Sequence, residues 1–355
     1  MLDVLSSHQS TDLYFLLLIF LIAFLLIFSF SFAIYTIYIR IRDSRREARL
    51  QELEKRWQSQ ILEIIAGRES PDTLINSIDR KEIFYFVEYV MRYMVILRGD
   101  ERKVVTSFAL PFLDRLTSTM RKSDSESRAY TIRILSTIGF DKYDDIIING
   151  LNDTSPLVAM VAAHALIKKG EPKYINATVR KLHKFGKWSK KYLATMLASA
   201  GSSGASELRR VYSNREASIR VRLIAAEALL MINDFTSADI ATEIISTEYD
   251  YDLISTSLKL LSAFGQTRHI SQVRRLCSST NDVIRAHALS TLGSIGDIGE
   301  TDRLYEALTD PSPWVVLHAA RGMANIGAID LLREIAASNR PEAVVAGEVL
   351  EETKH

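Results

Sequence analysis

Three basic pairs recur along the chain: Arg180-Lys181, Arg209-Arg210 and Arg274-Arg275, each followed by Leu or Val. Lined up on one face, they would make a positive stripe. Its chemistry is recognition of an acidic protein segment or a phosphorylated ligand, not bond making. Charge thickens between Lys168 and Lys191, where Lys168, Lys169, Lys173, Lys184, Lys187, Lys190 and Lys191 are opposed only by Glu171. The candidate partner-binding set is Arg180, Lys181, Arg209, Arg210, Arg274, Arg275, Lys187, Lys190 and Lys191. The competing reading is a solvated face, because charge runs usually solubilise. Near a bilayer, the same residues offer anionic lipid about 1 kcal/mol of attraction each.

Residues for catalysis are sparse. His287 and His318 recur at one repeat spacing, but a metal site needs more ligands, so packing is the favoured reading. There is no H-E-x-x-H, no zinc cysteine pair, no phosphate-binding glycine loop and no nucleophile elbow. Cys277 is the single cysteine, so no internal disulfide forms and a reducing compartment fits. Charged residues make up 25% and the net charge is +1, which fits neither a disordered chain nor a general nucleic-acid binder. No cofactor, metal or nucleic acid is expected, and the chain reads as a non-enzyme.

The elements that position these residues follow a period of thirty-one or thirty-two residues. Helix stops fall at Gly139, Gly170, Gly201, Asn233, Gly265, Gly296 and Gly327. Glycine and asparagine adopt the left-handed conformation that ends a helix. Four residues before each stop stands Leu135, Leu166, Leu197, Leu229, Leu261, Leu292 or Met323. Eight before it, small residues recur: Ala162, Ala225, Ser257, Ala288 and Ala319. Positions four apart share a helical face, so this is a packing stripe with close helix approach. Ser155-Pro156 and Ser312-Pro313 supply an N-cap and a first-turn proline to helix A of their units. Helix B follows in segments such as 174–182, 205–211, 270–276 and 302–308. The expected fold is all-α: one N-terminal transmembrane helix followed by an α-solenoid of stacked helix pairs.

The segments 221–229, 283–289 and 308–327 resemble HEAT-type repeats in their short, PBS-lyase-like form. The resemblance covers about residues 125 to 350, seven units and a partial terminal helix. It implies that the B helices line the concave surface. The family's helix-A arginine is matched by Arg128, Arg222 and Arg285 and by Lys190, but replaced by Ala159, Ile254 and Val316, which breaks a continuous polar ladder. The His-Glu dipeptides of iron-binding HEAT enzymes are absent. Nothing identifies a bilin site, and the composition does not fit a HEAT-like DNA glycosylase.

From Leu13 to Ile39 no residue is charged, with Asp12 and Arg40 as brackets. Twenty-seven helical residues reach about 40 Å against about 30 Å of hydrocarbon. Tyr14, Tyr35 and Tyr38 fit the interfaces. A signal peptide is disfavoured, because no Lys or Arg precedes the run and no small-residue cleavage site ends it. Arg40, Arg42, Arg45, Arg46, Arg49, Lys55 and Arg56 follow the run, which places the C-terminal side in the cytoplasm. The sequons at Asn152 and Asn176 then read as chance.

The expected layout is an outside N-terminus (1–12), a span (13–39), an amphipathic stalk (40–67), capping helices (71–122) and the solenoid (125–350). The stalk carries Leu50, Leu53, Trp57, Ile61 and Ile64 or Ile65 on one side and reads as a spacer, a short coiled coil or the first packing surface of the solenoid. The function that fits is a non-catalytic scaffold at the inner face of the cell membrane, holding a protein partner. One alternative is an accessory subunit of an integral membrane enzyme, perhaps in envelope glycan synthesis. Another is a repeat-fold lyase or metal-dependent enzyme.

Overall fold

The computed structural model describes residues 2–79, 82–96 and 98–353, with side chains omitted for the first nineteen residues and at scattered positions up to 121. The expectations for Asp12, Tyr14, Arg42 and Arg46 concern side chains outside the described residues. Among the described residues there is no strand. The helices group into two compact units, Met1–Thr119 and Met120–His355.

The first unit holds α1 (Leu2–Ile65), α2 (Pro71–Ser77), α3 (Ile83–Ile96) and α4 (Gly99–Thr119). Helix α1 is continuous, so the apolar run and the stalk form one rod. Over Phe20–Ile41 it is long and apolar enough to cross a membrane, with a mean hydropathy of 2.4 and no buried residue. Its C-terminal half packs on α2, α3 and α4. Leu53, Trp57, Ile61 and Ile64 are buried there. Trp57 meets Phe86 edge-on at 5.2 Å, and Phe86 meets Phe112 at the same distance. This aromatic core takes Trp57 out of water. Gly67, at φ 72°, ends the packed region, and Ser70 caps α2 by accepting from the Asp72 amide.

The second unit contains α5 (Ser125–Ile138), α6 (Asp144–Gly150), α7 (Pro156–Lys169), α8 (Pro172–Val179), α9 (Lys190–Ala198) and α10 (Ala205–Ser213). It continues with α11 (Ile219–Met231), α12 (Ser237–Thr247), α13 (Tyr251–Phe264), α14 (Ile270–Leu276) and α15 (Asp282–Ile295). It ends with α16 (Thr301–Glu306), α17 (Pro313–Asn325), α18 (Ile329–Ala336) and α19 (Ala343–Glu352). The odd-numbered helices from α5 to α17 stack in order as helix A, and the even-numbered ones follow them as helix B. Helix α19 closes the stack against α17 and α18. The unit is an all-α solenoid.

The repeated positions form its core. Leu135, Leu166, Leu197, Leu229, Leu261, Leu292 and Met323 have no exposed surface, and neither do Ala162, Ala225, Ser257, Ala288 and Ala319. Ser257 is tolerated because it donates to the Leu253 carbonyl (2.7 Å) and pairs with the buried Tyr212 hydroxyl (2.6 Å). Helices α15 and α17 approach most closely where Gly293 faces Gly322, and a Cβ on Gly293 would lie 2.4 Å from the Gly322 Cα.

Two local expectations change. Gly139, Gly170, Gly201, Asn233 and Gly327 are left-handed, whereas Gly265 and Gly296 are extended, at φ −66° and −84°. In these two, a Cβ would strike the carbonyl of Leu261 or Leu292 at 2.4 and 2.5 Å. Here glycine gives room, not handedness. Ser155 and Ser312 do occupy N-cap positions, but their hydroxyls make no capping bond. Instead Asp153 and Asp310 accept from the Ser155 and Ser312 amides, at 2.8 and 2.9 Å.

Candidate functional site

Charged side chains in the solenoid divide into those that hold it together and those left over. Arg128 on α5 donates through Nε and Nη2 to Asp153, both at 2.8 Å, and through Nη1 to the Ser123 carbonyl at 2.7 Å. Arg285 on α15 repeats this with Asp310, at 2.8 and 2.9 Å, and with the Ser279 carbonyl at 2.8 Å. Arg222 on α11 is 1% exposed and bonds Glu248 (2.8 Å) and the Tyr212 carbonyl (3.0 Å). Each arginine thus ties the chain just before its own helix to an acid just before the next helix A. These hydrogen bonds hold the Asp153 and Asp310 carboxyls below the usual range. The ladder is therefore broken into three separate clamps.

The acids were not singled out from sequence, although a signal existed. Asp153, Glu248 and Asp310 stand six residues before Ala159, Ile254 and Val316, the helix-A positions without the arginine. A unit without the arginine supplies the carboxylate to the unit before it.

The same pairing consumes part of the expected stripe. Arg209 is bonded to Asp234 (2.6 Å), Arg210 to Glu207 (2.7 Å) and Arg274 to Glu300 (3.0 Å through Nε). Lys190 lies 3.5 Å from Asp252. Arg275 reaches the Ser246 hydroxyl at 3.3 Å. Helix α12, stacked between α10 and α14, carries Asp239 and Glu243 and no basic residue. Arg268 and His269 bond Asp239, and Arg215 bonds Glu243. The three basic pairs are thus not one uninterrupted stripe.

Cations without a carboxylate partner among the described residues collect from the end of α7 to the first turn of α9: Lys168, Arg180, Lys181, Lys187 and Lys191. Arg180 bonds only the Asn176 amide oxygen, at 2.9 Å. Nearby, Lys169 and Tyr174 are taken up by the buried Asp144, and Lys173 by Glu171. Burial would raise the Asp144 carboxyl, but these two donors hold it low. Trp188 stacks on Tyr192 at 4.9 Å and 23°, and the Tyr192 hydroxyl meets His164 Nε2 at 2.9 Å. The result is an exposed cationic segment beside a rigid aromatic pair.

His287 and His318 have ring centroids 6.2 Å apart, with Trp314 edge-on to His318 at 4.6 Å. Burial, with help from Lys259 and His318, pushes His287 down to about 4. Burial and Arg321 lower His318. Among the described residues, no three His, Cys, Asp or Glu side chains are grouped to hold a metal ion. Burial raises the Cys277 thiol to about 12, so it is a poor nucleophile.

Residues 238–324 match the family model for HEAT repeats. These residues are HEAT repeats. The match covers α12 to α17, with two of the three clamp carboxylates, Glu248 and Asp310, inside it. No protein of curated function matches the HEAT-repeat chain. Among solved structures it is similar to Kap121p, with 15% identity over 78% of this chain and 38% of that one, at a TM-score of 0.47. Kap121p bound to Nup53p gives 15% identity over 77% and 37%, also at 0.47. Kap121p bound to the extreme C-terminus of Cdc14p gives 14% over 77% and 38%, at 0.48. The chain spans less than two-fifths of those structures.

Proposed function

We propose that this protein is a membrane-anchored, non-catalytic scaffold whose HEAT-repeat solenoid holds an acidic protein segment at the cytoplasmic face. The observation that carries the reading is the set Lys168, Arg180, Lys181, Lys187 and Lys191, which have no carboxylate partner among the described residues. Helix α9 begins there with Lys190 and Lys191. Lysines at a helix N-terminus oppose the helix dipole, which favours anions at that end. A stable array has no need of this conflict, and an acidic ligand relieves it. The adjoining Trp188–Tyr192 pair offers the flat, rigid contact typical of interface anchors.

The anchor reading is supported by Phe20–Ile41. Phe20, Phe24, Phe28, Phe30 and Phe32 are all more than 60% exposed, an arrangement that costs free energy in water and none in hydrocarbon. Arg40, Arg45 and Arg49 follow the run, so the positive-inside rule turns the solenoid toward the cytoplasm. Tethering would raise the local concentration of the partner at the membrane.

Co-purification in mild detergent tests this. Full-length protein is compared with a chain lacking residues 1–42 and with a full-length variant carrying Arg180, Lys181, Lys187 and Lys191 as Glu. A partner kept by the truncated chain and lost by the charge variant supports the scaffold. A partner lost with residues 1–42 and kept by the charge variant sinks it, in favour of an accessory subunit of an integral membrane enzyme.

A further inference from the structure

We propose that the cleft between the C-terminal half of α1 and α3 binds the phosphate headgroup of an anionic phospholipid. The inference rests on the anchor reading above. The cleft has a volume of about 230 Å³ and is lined by Arg45, Arg49, Leu50, Leu53 and Tyr85.

Depth is set by the continuity of α1. With no break after Ile41, Arg45 lies about 6 Å and Arg49 about 12 Å beyond the apolar stretch. The headgroup layer is roughly 5–8 Å thick on each side of the hydrocarbon, and an arginine stem easily spans the remainder.

Charge points the same way. Arg45 and Arg49 are one helical turn apart, exposed, and without a carboxylate partner among the described residues. Three arginines of this unit are paired, Arg56 with Glu82 at 2.9 Å, Arg68 with Glu63 at 2.6 Å, and Arg92 with Glu54, and of those left over only Arg45 and Arg49 line this cleft. Like charges four residues apart weaken a helix, and a shared anion removes that penalty. A second cleft of about 530 Å³ shares Arg49 and Leu53 with the first and is lined also by Ala48, Glu52, Arg56 and Glu82. There Glu52 and Glu82 offset Arg49 and Arg56, whereas no carboxylate lines the Arg45 cleft, which leaves the Arg45 side as the place for phosphate. Leu53, buried, and Leu50, half-buried, supply the apolar floor that a glycerol ester needs and a free phosphate ion does not.

Native mass spectrometry of the full chain in nonionic detergent tests the site, with phosphatidylglycerol and phosphatidylcholine of matched acyl chains as probes. The expected result is preferential retention of phosphatidylglycerol. Arg45→Gln with Arg49→Gln should weaken that retention roughly tenfold or more. Arg45→Lys with Arg49→Lys should keep most of it, which separates lost charge from lost fold. Equal retention of the two lipids, or an unchanged preference in the glutamine variant, overturns the site. Displacement by inorganic phosphate at equal concentration would mean a free-anion site and also overturns it. Carbonate extraction of membranes carrying the full chain reads the anchor separately. A chain that resists extraction but shows no lipid preference overturns the cleft alone. A chain released by carbonate overturns the anchor, and the cleft with it.

Discussion

Arg285 grips Asp310 of the following repeat with two parallel hydrogen bonds, Nε to Oδ2 at 2.8 Å and Nη2 to Oδ1 at 2.9 Å. Both side chains are mostly shielded, and Asp310 also accepts the Ser312 amide. One carboxylate therefore fixes the angle between two units and starts α17. A planar guanidinium makes this fork and an ammonium does not, so Arg285→Lys should lower the melting temperature although charge is kept. Unchanged melting would mean that the clamp only fills space.

The clamp also predicts a pH dependence. The Asp310 carboxyl is held down by Arg285, so its folded pKa lies below its unfolded one. Its stabilisation is complete above the unfolded value, about 3.9, and is lost as pH falls through the folded one. Asp310→Asn should therefore lose stability at pH 7 and show a shallower fall than the wild type below pH 5. Melting curves from pH 3 to 7 check this, and parallel curves would count against it.

The histidine pair has the opposite chemistry but the same sign. His287, at about 4, and His318 are lowered, so the unfolded chain takes up protons first as pH falls below about 6.5. Their packing is fully favourable above that pH and weakens toward pH 4. NMR titration should find the His287 ring neutral at pH 6, and a midpoint near 6.5 would show that it is open to solvent.

Core substitutions check the register. Leu229→Ala leaves a cavity in a fully buried site and should cost about 2–5 kcal/mol. Gly293→Val forces α15 away from Gly322 and should cost about 1–3 kcal/mol. Denaturant melts read both, and a neutral result at either would mean the helices are not stacked in this register.

Reversing the two sets of cations should give different results. Glutamate at Arg209 and Arg274 breaks bonds to Asp234 and Glu300, so it should lower stability. Glutamate at Lys181, Lys187 and Lys191 breaks no ion pair and should leave melting unchanged while abolishing partner capture. Equal destabilisation by both sets would show that the second set also holds the fold.

The sequence by itself determined the period, the buried leucine and small-residue positions, the helix order and the apolar stretch of α1. These are local properties: each needs only a residue and neighbours within a few turns. The tertiary structure decided which charges are available. Arg128 and Asp153, Arg222 and Glu248, and Arg274 and Glu300 lie 25 or 26 residues apart and meet only when one repeat stacks on the next. Counting basic residues could not separate Arg209, consumed by Asp234, from Lys187, left free, because a pair across a repeat leaves no mark on the local pattern. Trp57 follows the same logic: it reads as amphipathic in sequence, but only its contacts with Phe86 and Tyr89 make it core.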